Sequence, residues 1–158
     1  MPITANSSST TSQEDTALLN WQTYTNDNFS FKIRYPKEWV YKEYSNDYSG
    51  KDIFFGPVSS ASEGYIWGIT IFEVSKLEEV IAQIGQQFSD RKENRKPIIF
   101  GKDLHGTEVT GTTNELPNWT STMIFIERDG HVFVIADGAM QDPDFKLFAN
   151  SFEFIDSN

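Results

Sequence analysis

The sequence predicts an α+β fold of about nine strands and two helices, with a helix on each face of a central antiparallel sheet. Three observations lead there. The helical patterns are set apart from long runs of strand patterns, not interleaved with them as βαβ units would be. Within 29–35, Phe29, Phe31, Ile33 and Tyr35 alternate with Ser30, Lys32 and Arg34, the mark of a strand with one buried face. Residues 65–74, 120–127 and 132–137 are apolar on both sides, so both of their faces must be covered.

The elements follow in order. Residues 1–20 hold ten Ser, Thr or Asn and no aromatic residue, too little apolar area to offset ordering. They are expected to be a disordered tether, with Ala17-Leu18-Leu19 docking at its end and Met1 a cloning start. A single domain is expected over 21–158. Residues 21–25 and 29–35 form two strands joined at Asn26-Asp27-Asn28. Short strands follow at 39–44 and 52–55. Ser75 and Glu78 have capping-box spacing. Behind them Leu77, Val80, Ile81, Ile84 and Phe88 make one apolar helical stripe. After a basic loop come antiparallel strands, with Arg128-Asp129-Gly130-His131 as a tight hairpin turn. Asp142 as N-cap and Pro143 at the first helical position open a short helix that turns Phe145 and Phe148 inward. A last strand spans 152–155.

Composition removes several function classes. The chain of 158 residues carries 13 basic and 23 acidic residues, a net charge of −10 that repels nucleic acid. Without cysteine there is no disulfide framework, thiolate zinc site or cysteine nucleophile. No run of about 18 apolar residues offers a spanning helix. No P-loop, dinucleotide fingerprint or G-x-S-x-G elbow occurs. No cofactor is expected.

The pattern F-x-F-x-I-x-Y-P-x-x-W, here Phe29, Phe31, Ile33, Tyr35, Pro36 and Trp39, resembles the start of the PsbP-like family, the superfamily of the extrinsic oxygen-evolving-complex subunit. Near the other end, Phe145, Phe148, Ser151, Phe152 and Phe154 resemble that family's closing helix and strand. The resemblance spans roughly 21–156. It implies an α/β/α sandwich around a central antiparallel sheet. It also implies a non-enzymatic assembly or stabilising subunit, and the bacterial lipoprotein branch fits better than the photosystem one. Pro36, lacking an N–H, would end the ladder, and Trp39 would plug the open end of the core. Trp39→Ala is then expected to cost about 3–5 kcal/mol.

The expected function is a monomeric, extracytoplasmic PsbP-like domain, lipid-anchored in the full-length protein through its leader. It would bind a protein partner or a membrane-associated assembly. Five bases fall between 91 and 102 in an acidic chain, and Arg91, Lys92, Arg95 and Lys96 are the candidate partner-binding residues, although a solvated loop is the favoured reading of that stretch. Asp137, Asp142 and Asp144 are the candidate metal ligands, since hard cations take several oxygens; an N-cap accounts better for Asp142. Two further readings are a metal- or carbohydrate-binding module using the acidic C-terminal half, and a carboxylate-dependent hydrolase. Trp67, Trp119 and Tyr65 could stack on a sugar, with core packing the favoured explanation. His105 and His131 lack a His or Cys at metal spacing.

Overall fold

The computed structural model describes residues 16–47, 50–57, 66–73, 76–85, 94–112, 120–137 and 142–156. Strand β1 (Trp21–Asn26) pairs antiparallel with β2 (Phe31–Pro36), in which Phe31, Ile33 and Tyr35 are buried. The ladder closes at Trp21 opposite Pro36. The chain then enters β3 (Trp39–Ser45), which belongs to a different sheet. Gln22 Nε2 secures this crossover by donating to the carbonyls of Lys37 and Trp39, both at 3.0 Å. Trp39 caps the end of the core beside Trp67, with ring centroids 4.4 Å apart.

The remaining strands are β4 (Lys51–Pro57), β5 (Trp67–Phe72), β6 (Asn94–Phe100), β7 (Leu104–Thr112), β8 (Thr120–Arg128), β9 (His131–Asp137) and β10 (Glu153–Phe154). They complete a seven-stranded sheet of order β3-β4-β5-β9-β8-β7-β6 and a three-stranded sheet of order β1-β2-β10. Every pairing is antiparallel. The doubly apolar strands β5, β9 and β8 are neighbours in the middle of the large sheet, as their composition requires. Arg128 faces His131 across the β8–β9 turn, and Asp129 and Gly130 take φ of 52° and 78°, the left-handed pair of a type I′ hairpin.

Two helices cover the large sheet unequally. Helix α1 (Leu77–Gly85) packs Leu77, Val80, Ile81 and Ile84 against Phe72, Val109, Phe125, Val132 and Val134. The opposite face is covered by the three-stranded sheet together with α2 (Phe145–Asn150), not by a helix alone. The architecture is therefore α+β with two antiparallel sheets instead of the single sheet expected. Alternation in β2 establishes a buried face, but a buried face does not say which sheet a strand joins.

Ser75 lies outside the described residues, as does Phe88. The N-terminus of α1 is satisfied from a distant strand: Leu77 N–H donates to Glu127 Oε1 at 2.7 Å. Glu78 is engaged by Arg95. The described chain is ordered before Trp21, as a 3₁₀ turn at Leu18–Asn20 whose Leu18 carbonyl accepts from Arg34 Nη2.

Candidate functional site

The three acidic residues proposed as metal ligands sit at the junction of β9 and α2. Asp137 is buried at the end of β9, and its Oδ2 accepts the N–H of Asp142 at 3.1 Å. Asp142 Oδ1 accepts the N–H of Asp144 at 2.9 Å, and its carbonyl accepts from Phe145 at 3.0 Å. Asp142 thus caps the turn through Pro143 that leads into α2. Asp144 is exposed and makes no side-chain cap. Asp137 and Asp142 act in series on backbone N–H groups, and Asp144 contributes only its own N–H to that series. Among the described residues no three His, Cys, Asp or Glu side chains form a metal-holding group.

Of the basic stretch, Arg91 and Lys92 lie outside the described residues. Arg95 and Lys96 belong to strand β6, not to a loop, because the ladder with β7 already starts at Asn94. Their side chains point to opposite faces. Arg95 Nη1 meets Glu78 Oε2 of α1 at 3.0 Å, and Lys96 Nζ meets Glu108 Oε1 of β7 at 3.1 Å. Strand β6 is an edge of the large sheet and is mostly exposed, with Ile99 65% accessible. Pro97 and the two bases are features that blunt an edge against unspecific pairing.

Two clefts flank the end of β6 where it meets α2. One, about 450 Å³, has an apolar floor of Ile98, Phe100, Ile124 and Phe145 and a rim that includes Lys96 and Lys146. The other, about 520 Å³, lies between the β6–β7 turn, the end of α2 and the Leu18 turn. Phe100 and Asn150 border both. Asn150 Oδ1 accepts from Gly101 N–H at 3.3 Å, joining the turn to the helix.

A polar chain ties the small sheet to the far edge of the large one. Asn26 Nδ2 donates to the Tyr24 hydroxyl at 2.9 Å, Tyr24 donates to Glu43 Oε1, and Lys51 Nζ meets Glu43 Oε2 at 3.1 Å. Burial pushes the Tyr24 hydroxyl well above the ordinary phenol range, and its bond to Glu43 adds to the rise. The same bond holds the Glu43 carboxyl below its ordinary range, against partial desolvation and with help from Lys51. Burial, then the neighbouring Tyr41, raises Tyr35. These residues stabilise a joint between layers.

Trp67 is a core residue, 1% exposed and in ring contact with Trp21, Trp39 and Phe148, so it offers no sugar platform. Trp119 and Tyr65 lie outside the described residues. His105 is exposed on β7, and His131 packs edge-on against Phe29 with Nδ1 3.0 Å from the Asp129 carbonyl.

The clefts escaped the sequence because their walls are distant in the chain: β2, β6, β10 and α2 for the larger, and β6 to β9 with α2 for the smaller. Arg34 read only as the polar side of an alternating strand, and nothing local places it beside Lys102 and Asn150.

No protein-family model matches the sequence, and no curated protein matches it. Among solved structures the chain is similar to the solution structure of cyanobacterial PsbP (CyanoP) from Synechocystis sp. PCC 6803. The two share 13% sequence identity over 85% of this chain and 92% of that one, with a TM-score of 0.58. The fold is PsbP-like.

Proposed function

We propose that this PsbP-like fold serves as a non-enzymatic, extracytoplasmic domain that binds a protein partner or stabilises a membrane-associated assembly. In this reading the chain is monomeric, and residues 1–20 tether it to the lipid-anchored end of the full-length protein.

One observation carries the reading. The two segments that resemble the family, at opposite ends of the chain, interlock in space. Phe31 stacks on Phe152 at 5.1 Å, and β10 pairs with β2. Ser151 Oγ accepts the N–H of Arg34 at 2.9 Å while donating to the Phe148 carbonyl at 2.7 Å. The shared pattern is therefore one built unit of the fold, not two chance matches. That unit supports a subunit-like role by analogy of fold.

The partner surface in this reading is the β6 edge. Arg95 and Lys96 each make a surface ion pair there, of a kind worth about 0–1 kcal/mol, which an acidic partner can replace at little cost. Arg91 and Lys92 precede them in the chain.

The test has two parts. Fractionation of cells making the full-length protein, with protease added outside the cytoplasmic membrane, should place the domain with membranes and accessible to protease. A photo-crosslinker at Ile99 should then trap a discrete partner, and one at Lys42 on the opposite edge should not. Changing Arg91, Lys92, Arg95 and Lys96 to Ser should abolish the Ile99 adduct while leaving the denaturation midpoint near the parent's. A cytosolic, protease-protected domain would refute the localisation; equal adducts from both edges, or none, would refute the surface.

A further inference from the structure

Arg34 presents a cation that the described fold does not neutralise. Only its Nη2 is bonded, to the backbone carbonyls of Leu18 and Trp21. Its Nε is shut off from solvent with no hydrogen-bond partner. Among the described residues the side chain makes no ion pair with an acid, unlike Lys32, Lys102 and Arg128. A half-buried guanidinium supplied only with neutral acceptors is short of the partner it matches best, a carboxylate.

Arg34 also lines the 520 Å³ cleft, within the size range of small-ligand sites. Among the described residues that line it, Lys102 is the second cation and Glu153 the one acid. Glu153 is already engaged, by Lys102 at 3.3 Å and by Lys32 at 3.5 Å. Two lining cations against one lining carboxylate leave a positive surplus of one in a chain of net charge −10. The lining is mixed: Asn150 and Ser151 add polar groups, and Leu18, Ile99 and Leu147 present apolar surface. A strongly charged, fully hydrated anion such as phosphate would leave these side chains without a role.

We propose that this cleft binds an amphipathic monocarboxylate, its head on the Arg34 guanidinium and its apolar body along Leu18, Ile99 and Leu147. The single negative charge balances the surplus. The tail covers apolar surface that the fold leaves open at Ile99 and Leu147, which favours burial from water. The cleft adjoins the β6 partner edge at Ile99, but Arg34 and Leu147 lie outside that edge, so variants at these two residues test the cleft without touching the partner residues Arg95 and Lys96.

The experiment is an NMR titration of the full chain with octanoate, with octanol as the neutral twin and inorganic phosphate as the anion without a tail. Saturable shifts are expected at Arg34, Gly101, Leu147 and Ser151, with octanol and phosphate each binding about tenfold or more weakly. Arg34→Gln should lower octanoate affinity about tenfold, the usual scale for losing a charge-assisted bond. Arg34 also holds the Leu18 turn, so Leu147→Glu provides an independent variant that places a like charge in the cleft; it too should weaken octanoate. Unchanged octanoate affinity in Leu147→Glu, equal binding of octanoate and octanol, phosphate competing as well as octanoate, or no saturable shifts would each overturn the proposal.

Discussion

The two faces of the seven-stranded sheet are packed with different materials. Toward α1 the core is mainly aliphatic, with Val80, Ile81, Val109, Val132 and Val134 around two phenylalanines. Toward the small sheet it is mainly aromatic, with Trp67, Phe31, Phe55, Phe133, Phe148 and Phe152 at its centre. The aliphatic face is assembled by one short helix on neighbouring strands. The aromatic face is assembled from both ends of the chain, since β2 and β10 meet there. Large planar side chains reach across layers that neither a short helix nor a two-residue strand could fill with valine, and their edge-to-face contacts fix orientation as well as area.

The comparison breaks most visibly at Phe148. It is fully buried and touches Phe55 at 5.2 Å and Trp67 at 4.7 Å. Phe148→Ala should cost about 3–5 kcal/mol, read as a lower denaturant midpoint with cooperative loss of both sheets. On the other face, Ile81→Ala should cost about 2–3 kcal/mol, because α1 is short and can settle into the gap. Native-state hydrogen exchange should show α1 opening below the global free energy while β2 and β9 exchange only on global unfolding. If the two faces exchange at one common free energy, they are a single cooperative unit and the distinction between them is one of composition only.

Trp39→Ala sharpens the boundary of the aromatic face. The sequence pattern implied a plug and a loss of about 3–5 kcal/mol. Trp39 is half-buried, resting against Trp67 with one side open. The expected loss falls to about 2–3 kcal/mol, in proportion to the smaller area removed from water. A loss below about 0.5 kcal/mol would make Trp39 a surface ornament.

The smallest expected effect is pH-dependent and belongs to the joint at Tyr24. Glu43 titrates lower in the folded than in the unfolded chain, so its contribution is present above the ordinary carboxylate range and is lost as pH falls through the folded value. Tyr24 titrates higher when folded, so its contribution is intact below about pH 10 and is lost as pH rises beyond that. Tyr24→Phe should flatten both flanks of a midpoint-against-pH curve. Identical curves for parent and variant would show that the joint carries no titrating load.

Much of the fold was legible because it is local. Alternation in β2, the stripe of α1, the Asp129-Gly130 turn and the doubly apolar central strands each depend on residues close in sequence, and each takes its expected form. What sequence could not give depends on long-range pairing. Nothing near Trp39 says that it opens a second sheet, and Arg95 and Lys96 read as loop because their only strand partner lies beyond a turn at 101–103. Glu127, which satisfies the start of α1, is fifty residues from Leu77. Asp142 was expected as the N-cap with Pro143 opening the helix; Asp142 instead holds a turn by accepting the Asp144 N–H, and the helix starts two residues later, at Phe145, with Asp144 in the N-cap position. Arg34 was invisible as a site residue because its cleft has walls from four elements.

The claim on which the functional reading rests is that the two ends of the chain close one aromatic core. Nuclear Overhauser contacts between the rings of Phe31, Phe133 and Phe152 test it directly. Their ring centroids lie 5.1–6.0 Å apart. The account predicts strong cross-peaks among all three rings, together with slow exchange of the Arg34 amide that donates to Ser151. Contacts from Phe152 to α1 side chains instead, or no contact from Phe152 to Phe31, would contradict the closure and with it the PsbP-like reading.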